Sequence, residues 1–340
     1  MTCLFWKCFL IEFFSIIIYN DNELIIFIKK TMNSKKLSNK DESGDLFSDK
    51  IFENPNYKDL TVNFDRISFN YKENSWIIIE HILIDNEIDN ISELSTDNQQ
   101  KIKTILSFTN HLKNISGKDV SVYIDLYFDK DHKNKNNILL LDEENKFHKL
   151  KLDEYAMFFR EVNFYGNETN ADKPYKGHYL TVDEINKLRL DDSAFSISKA
   201  CLANDVTYGF NIDKLIYNDK TKEVYIFELL LCEEAQSVTP WTSHPNKYFN
   251  KNSMKFINLH KFSNELRSNL YLINYAKPET KAENQILFMK VLSLDEKNIK
   301  SPIKTEDKKI NLESLRKGLA NKILKNTNPV LKIGKKFNNS

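Results

Sequence analysis

The sequence predicts a mixed α+β protein: a mixed central sheet flanked by helices, preceded by a smaller α+β domain. Three observations predict it. Short runs rich in β-branched and aromatic residues recur through the middle of the chain. Amphipathic runs of helical length fall between them. In the second half the order is helix, hairpin, helix, strand, which suits a mixed sheet covered by helices. The 340 residues suffice for two globular regions plus tails. A hydrophobic content of 41% excludes a wholly disordered chain, and seven Gly with seven Pro exclude collagen-like and low-complexity classes. Cys3, Cys8, Cys201 and Cys232 are too scattered for a disulfide scaffold and form no CxxC pair. No internal repeat is evident.

Residues 1–58 read as an apolar start followed by a disordered lead-in. Residues 1–30 are rich in Phe and Ile, but Lys7, Glu12, Asp21 and Glu23 break the run too often for a spanning helix. A signal peptide would need a basic start and a small-residue cleavage site, and both are missing. The polar Asn33-Ser34-Lys35-Lys36 after Met32 marks that residue as the expected start, with 1–31 as upstream translation. A cytoplasmic protein without a membrane segment is therefore expected.

Residues 59–165 form the predicted accessory α+β domain. Strands are expected over Thr61–Phe69, Trp76–Leu83, Val120–Phe128 and Phe147–Leu152. A helix is expected over Thr96–Ile115, where Ile102, Ile105, Leu106, Phe108, Leu112 and Ile115 share one face. Asp129–Asn137 is a charged, Asn-rich loop. His81, His111, His132 and His148 lack metal-ligand spacing, so each is read as a surface or core-edge residue.

Residues 166–295 are the second predicted domain. Helices are expected at Val182–Leu190 and Ala194–Leu202, then strands at Phe210–Tyr217 and Val224–Cys232. A helix over Ser253–Ser268 and strands at Leu270–Tyr275 and Gln285–Leu294 complete it. Residues 296–340 form a basic tail with a short helix over Asn311–Leu324. Its Leu312, Leu315, Leu319 and Ile323 make a stripe and Asn311 is the expected N-cap.

The hairpin around residues 218–223 carries the chemistry. If Tyr217 pairs with Val224, Asp213 falls directly opposite Glu228, with Cβ atoms about 5 Å apart on one face. Two carboxylates that close, between hydrophobic neighbours, repel unless a proton or a cation lies between them. Mg²⁺ or Mn²⁺ is suited to such a site, because it accepts one or two carboxylates and completes its shell with water and phosphate. A slip of one residue would put the acids on opposite faces.

This arrangement resembles the PD-(D/E)xK nuclease superfamily, with its restriction-endonuclease-like fold. Asp213, in Phe210-Asn211-Ile212-Asp213-Lys214, matches the first acid; Glu228, in Tyr225-Ile226-Phe227-Glu228-Leu229-Leu230, matches the second. Ile212 stands in place of the Pro and Leu230 in place of the motif lysine. Some members supply the lysine from a neighbouring helix, and Lys255 suits that role. It shares a stripe with Leu259, Phe262 and Leu266, which should face the sheet, and its other reading is a lysine that snorkels to the sheet edge. Lys214 points away from Asp213, and Gln236 is a further stand-in. Glu184 would be a third metal ligand or a surface residue. The resemblance implies a metal-dependent endonuclease with Asp213, Glu228 and Lys255 as catalytic residues and Mg²⁺ or Mn²⁺ on the two acids. Homodimers are frequent in that family.

Net charge is +1, yet residues 296–340 carry +8 and the body −7, so the balance does not exclude DNA or RNA as partner. The loop before the Ser253–Ser268 helix interleaves Trp241, Tyr248 and Phe249 with Lys247 and Lys251, a pattern suited to stacked bases and a phosphate path or to a packed aromatic loop that closes the sheet edge. His244 lies among them as a candidate for proton transfer. Abundant Lys, Asn and Ile reflect AT-rich coding, which lowers the weight of any single lysine. The alternatives are a nuclease fold that has lost catalysis and binds nucleic acid or protein, and an unrelated α+β protein with an accidental acid pair.

Overall fold

The computed structural model describes residues 51–52, 61–84, 88–128, 137–141, 147–176, 209–218, 221–232, 238–277, 280–298 and 300–327. The expectations for the lead-in up to residue 50, for the helices at 182–190 and 194–202, for most of the Asp129–Asn137 loop, and for Glu184 and Gln236 lie outside these residues, while Ile51 and Phe52 within the expected disordered lead-in are helical and buried, Phe52 against Phe227.

Among the described residues, ten strands form one mixed sheet in the order β10-β9-β8-β7-β6-β1-β2-β3-β4-β5. In chain order they are β1 (Thr61–Asn70), β2 (Ser75–Ile84), β3 (Val120–Phe128), β4 (Asn137–Leu141), β5 (Phe147–Lys151), β6 (Phe210–Asn218), β7 (Glu223–Cys232), β8 (Asn269–Ala276), β9 (Ile286–Leu294) and β10 (Ile303–Ile310). Four α-helices accompany them among the described residues: α1 (Thr96–Ser116), α2 (Leu152–Phe164), α3 (Phe249–Glu265) and α4 (Leu312–Thr327). The α+β class and the mixed sheet agree with the sequence. The 59–165 and 166–295 regions are not separated by the sheet, because β1 pairs with β6 and joins them edge to edge.

The topology repeats, although no repeat is evident in the residues. An antiparallel hairpin (β1–β2) leads through α1 to a strand parallel to its second arm (β3), then to two antiparallel strands and α2. The same sequence runs from the hairpin β6–β7 through α3 to parallel β8, then β9, β10 and α4. The central pairing has two-fold symmetry. Val62 pairs with Leu215 and Ile67 with Phe210, while Phe64 pairs with Ile212, its own counterpart in the other half. What is repeated is spacing and hydrophobic type, and identical residues are few.

Both long helices lie over one face. Ile102, Ile105, Phe108 and Leu112 of α1 share a buried cluster with Phe256, Leu259, Phe262 and Leu266 of α3 and with Phe64, Ile212 and Ile226 of the sheet. A second cluster covers part of the opposite face, where Leu315 and Leu319 of α4 meet Ile216, Phe227, Tyr271 and Ile273. α1 starts at Ser95, whose hydroxyl accepts from the Asn98 N–H, and ends at Gly117 in the left-handed conformation (φ 66°) that glycine adopts freely. The expected N-cap of α4 is also present, with Asn311 Oδ1 accepting from the Ser314 N–H at 2.8 Å.

Three elements had no counterpart in the sequence reading. β10, Ile303-Lys-Thr-Glu-Asp-Lys-Lys-Ile310, is too polar to score as a strand because it is an edge strand whose charges face water. β4 follows an Asn-rich loop, and α2 begins directly where β5 ends.

Phe262 packs edge-on against Trp76, Phe108 and Phe210, all contributed by or beside the other half. Phe262→Ala should cost about 3–5 kcal/mol. Urea unfolding would measure this, and a loss below about 1 kcal/mol would contradict a shared core.

Candidate active site

The hairpin register is the one the sequence reading requires. Tyr217 pairs with Val224, Ile216 with Tyr225, Leu215 with Ile226 and Lys214 with Phe227. The turn holds it in place: Asn218 Oδ1 accepts from the Thr221 N–H at 3.2 Å, and Lys222 takes positive φ (59°). Asp213 and Glu228 occupy the next positions, beyond the last described pair. There the Asp213 carboxylate reaches between the strands and accepts the Leu229 N–H at 2.7 Å, with Asn211 Nδ2 donating to its other oxygen at 3.2 Å. Both acids are buried, Glu228 to 2% exposure and Asp213 to 6%.

Lys255 arrives from α3. A short 3-10 turn, Pro245–Lys247, precedes that helix and is capped by His244, whose Nδ1 accepts from the Asn246 N–H. The stripe Phe256, Leu259, Phe262 and Leu266 then seats α3 on the sheet and directs Lys255 to Glu228. Its ammonium forms an ion pair with Glu228 Oε1 while remaining 30% exposed at its side chain. Asp213, Glu228 and Lys255 are therefore brought together. Leu230, at the motif-lysine position, lies opposite Asn274 of β8 and packs against the core on the helix side.

The electrostatics follow from burial. Burial first, then the neighbouring Asp213 carboxylate, push Glu228 up to about 8, against the pull of Lys255. Lys255 is itself raised above its ordinary value: burial works to lower it, but Glu228 and Asp213 together outweigh burial. Glu228 Oε2 is buried and has no hydrogen-bond donor among the described residues. An acid pair so placed calls for a proton or a cation between its oxygens. Tyr248, directly before α3, is raised by burial and by the Glu228 charge, so its hydroxyl stays protonated close to the site. Among the described residues no three His, Cys, Asp or Glu side chains converge as a metal-ligand group. A cation would rest on two carboxylates.

The nucleic-acid candidates divide. Trp241 is 39% exposed and its indole N–H donates to the Ile286 carbonyl at 3.1 Å. Lys247 is exposed and its ammonium donates to the Thr242 carbonyl at 2.6 Å. Tyr248 is half-buried beside Phe256. The backbone of Lys251 lies in the first turn of α3, and its side chain is outside the described residues. His244 turns to β10, with Nε2 2.9 Å from Thr305 Oγ1 and 3.9 Å from Asp307. Burial lowers it below the ordinary histidine value, with Asp307 opposing.

Two residues that hold this loop escaped the sequence reading. Asn246 exchanges both side-chain hydrogen bonds with the Ile303 backbone at 2.9 Å, acting as a one-residue strand partner for β10. Asn274, on β8, donates to the Ser243 carbonyl. In a chain this rich in asparagine neither stood out.

A second acid–acid–lysine cluster was also missed. Asp65 on β1 and Glu80 on β2 are buried together, and Lys101 of α1 forms an ion pair with Glu80 Oε1. The equal Asp-to-Glu separation in the two hairpins was the available signal.

No protein-family model matches the chain, and no curated protein matches it either. No described helix is long and apolar enough to cross a membrane.

Proposed function

We propose that the chain is a divalent-cation-dependent nuclease of restriction-endonuclease-like fold that hydrolyses phosphodiester bonds in DNA or RNA at Asp213, Glu228 and Lys255. The observation that carries this reading is the buried Oε2 of Glu228, donorless among the described residues, beside the Asp213 carboxylate and with an ammonium on the opposite oxygen. The order hairpin, helix, parallel strand around these residues supports the fold part of the proposal. Asp213 and Glu228 would hold Mg²⁺ or Mn²⁺, whose contribution when bound is Lewis-acid activation of water and of the scissile phosphate.

The chain's own residues do the rest. The Leu229 N–H orients the Asp213 carboxylate. Lys255 lies partly open to solvent and partly on Glu228, which lets its ammonium meet a phosphate oxygen as negative charge grows there. Tyr248, kept protonated, is a hydroxyl donor within the field of the site. Trp241 and Lys247 supply an exposed aromatic face and a cation on the adjoining loop.

A second reading, a binding module without catalysis, is favoured by one observation: Leu230 stands at the motif-lysine position. Labelled single- and double-stranded DNA and RNA, incubated with the protein in Mg²⁺, Mn²⁺ or EDTA, separate the two. Cleavage should require the cation, and Asp213→Ala should abolish it. Cleavage that survives EDTA or Asp213→Ala overturns the nuclease reading; salt-sensitive binding without cleavage selects the second.

A further inference from the structure

The two halves align residue by residue around their acid pairs. Asp65 and Asp213 each follow a residue of the central pair Phe64–Ile212, so both lie one step from the two-fold axis. Glu80 is as far beyond Asp65 as Glu228 is beyond Asp213, and both pairs fall just past the last described rung of their hairpins, Arg66–Ile79 and Lys214–Phe227. The backbone contacts match: the His81 N–H donates to Asp65 Oδ2 at 2.9 Å, as the Leu229 N–H does to Asp213 Oδ2 at 2.7 Å. The turns match too, with Asn74 and Lys222 in the left-handed region at equivalent places. On the helices, Lys101 is followed by buried Ile102, Ile105, Phe108 and Leu112 at the same intervals at which Lys255 is followed by Phe256, Leu259, Phe262 and Leu266.

The chemistry around the acids differs. In the first half Glu80 Oε2 accepts the Asp65 N–H at 3.0 Å and Oε1 takes Lys101, so both oxygens are used. His81 Nδ1 lies 3.4 Å from Asp65 Oδ2, and His81 Nε2 is 3.0 Å from the hydroxyl of Tyr155, the fourth residue of α2. The buried ring of His81 therefore lies against the Asp65 carboxylate. In the second half Leu229 stands where His81 stands, and Leu315, the fourth residue of α4, stands where Tyr155 stands. Leu229 packs against the apolar cluster that contains Leu315 and Leu319, and Glu228 Oε2 is left without a donor among the described residues.

We propose that the chain is an internally duplicated pseudo-dimer with one cation site: His81 closes the Asp65–Glu80–Lys101 centre to cations, and Leu229 leaves the Asp213–Glu228–Lys255 centre open to one. The first half is then a scaffold copy, occupying the place of a second subunit. The proposal rests on the cation-binding part of the nuclease reading.

The test is the number of Mn²⁺ ions bound per full-length chain, from a calorimetric titration with electron paramagnetic resonance counting free Mn²⁺. The wild type should bind one. Leu229→His, which copies the first half into the second, should bind none. His81→Leu, the reverse exchange, should bind two. If His81→Leu fails to fold, a second pair of variants decides: Asp213→Asn should bind none, and Asp65→Asn should still bind one. Two ions in the wild type, with Asp65→Asn reducing the count to one, overturn this proposal and leave the nuclease reading standing. One ion in folded His81→Leu, or one in Leu229→His, overturns it in the same way. A wild type that binds none overturns both.

Discussion

In EDTA the wild-type protein should lose stability as pH rises from about 4.5 to about 8, and Glu228→Gln should remove that loss. Burial and the Asp213 charge hold Glu228 at about 8 in the folded chain, against 4.5 as its ordinary value. The folded state therefore binds this proton more tightly than the unfolded state does. Between the two values the folded state holds more protons, so unfolding free energy falls as pH rises. The whole window is worth up to about 5 kcal/mol, shared across the Asp213–Glu228 pair because the proton belongs to both. Lys255 acts elsewhere: its raised value gives stability that is present below its ordinary 10.5 and lost only above that. Gln keeps the shape of Glu228 without the charge, and its amide can donate to Asp213. Mn²⁺ should flatten the wild-type curve as well, because a cation replaces the missing proton, and its stabilisation should be largest at pH 8 and above. Urea midpoints between pH 5 and 9, in EDTA and in Mn²⁺, read this directly. A slope that persists in Glu228→Gln would assign it to another group.

Much of the site was legible in the sequence, and for a physical reason. A hairpin's register is a local property: once Tyr217 and Val224 pair, Asp213 and Glu228 must meet. The position of Lys255 was legible because the helix stripe Leu259, Phe262 and Leu266 can bury only one way. The loop was less so. Trp241 suited either a stacking platform or a loop packed on the sheet edge, and His244 a proton-transfer group; the structure ties both to β9 and β10, and β10 was itself hidden by its charges. The duplication left only the equal Asp-to-Glu separation as a trace in the sequence. Its evidence is Phe64 facing Ile212 across the centre of the sheet, a pairing between strands far apart in sequence that hydrophobic periodicity does not encode. His81 shows the same limit: no ligand spacing marks it, and its meaning comes from Asp65 and Tyr155, brought to it by the fold.

On the proposed nuclease reading, Lys255→Ala should reduce cleavage about 10²–10³-fold, the usual loss when one charge-stabilising donor is removed from a site. Two effects combine. The ammonium no longer offsets charge on the phosphate, and Glu228 Oε1 loses its ion-pair partner, so the acid pair holds its proton more tightly and competes better against the cation. The second effect has its own readout: the Mn²⁺ midpoint should rise in Lys255→Ala and recover as pH is raised, whereas loss of phosphate stabilisation alone would leave it unmoved. Leu230 offers the complementary experiment. It lies two residues beyond Glu228 on β7, hence on the same face, and is only partly buried. A lysine there would place an ammonium beside the acids from the strand instead of the helix. The double variant Leu230→Lys/Lys255→Ala should therefore recover part of the activity that Lys255→Ala loses, which a purely structural role for Lys255 does not allow. An unchanged rate in Lys255→Ala would remove the lysine from the mechanism and leave the acid pair to act alone.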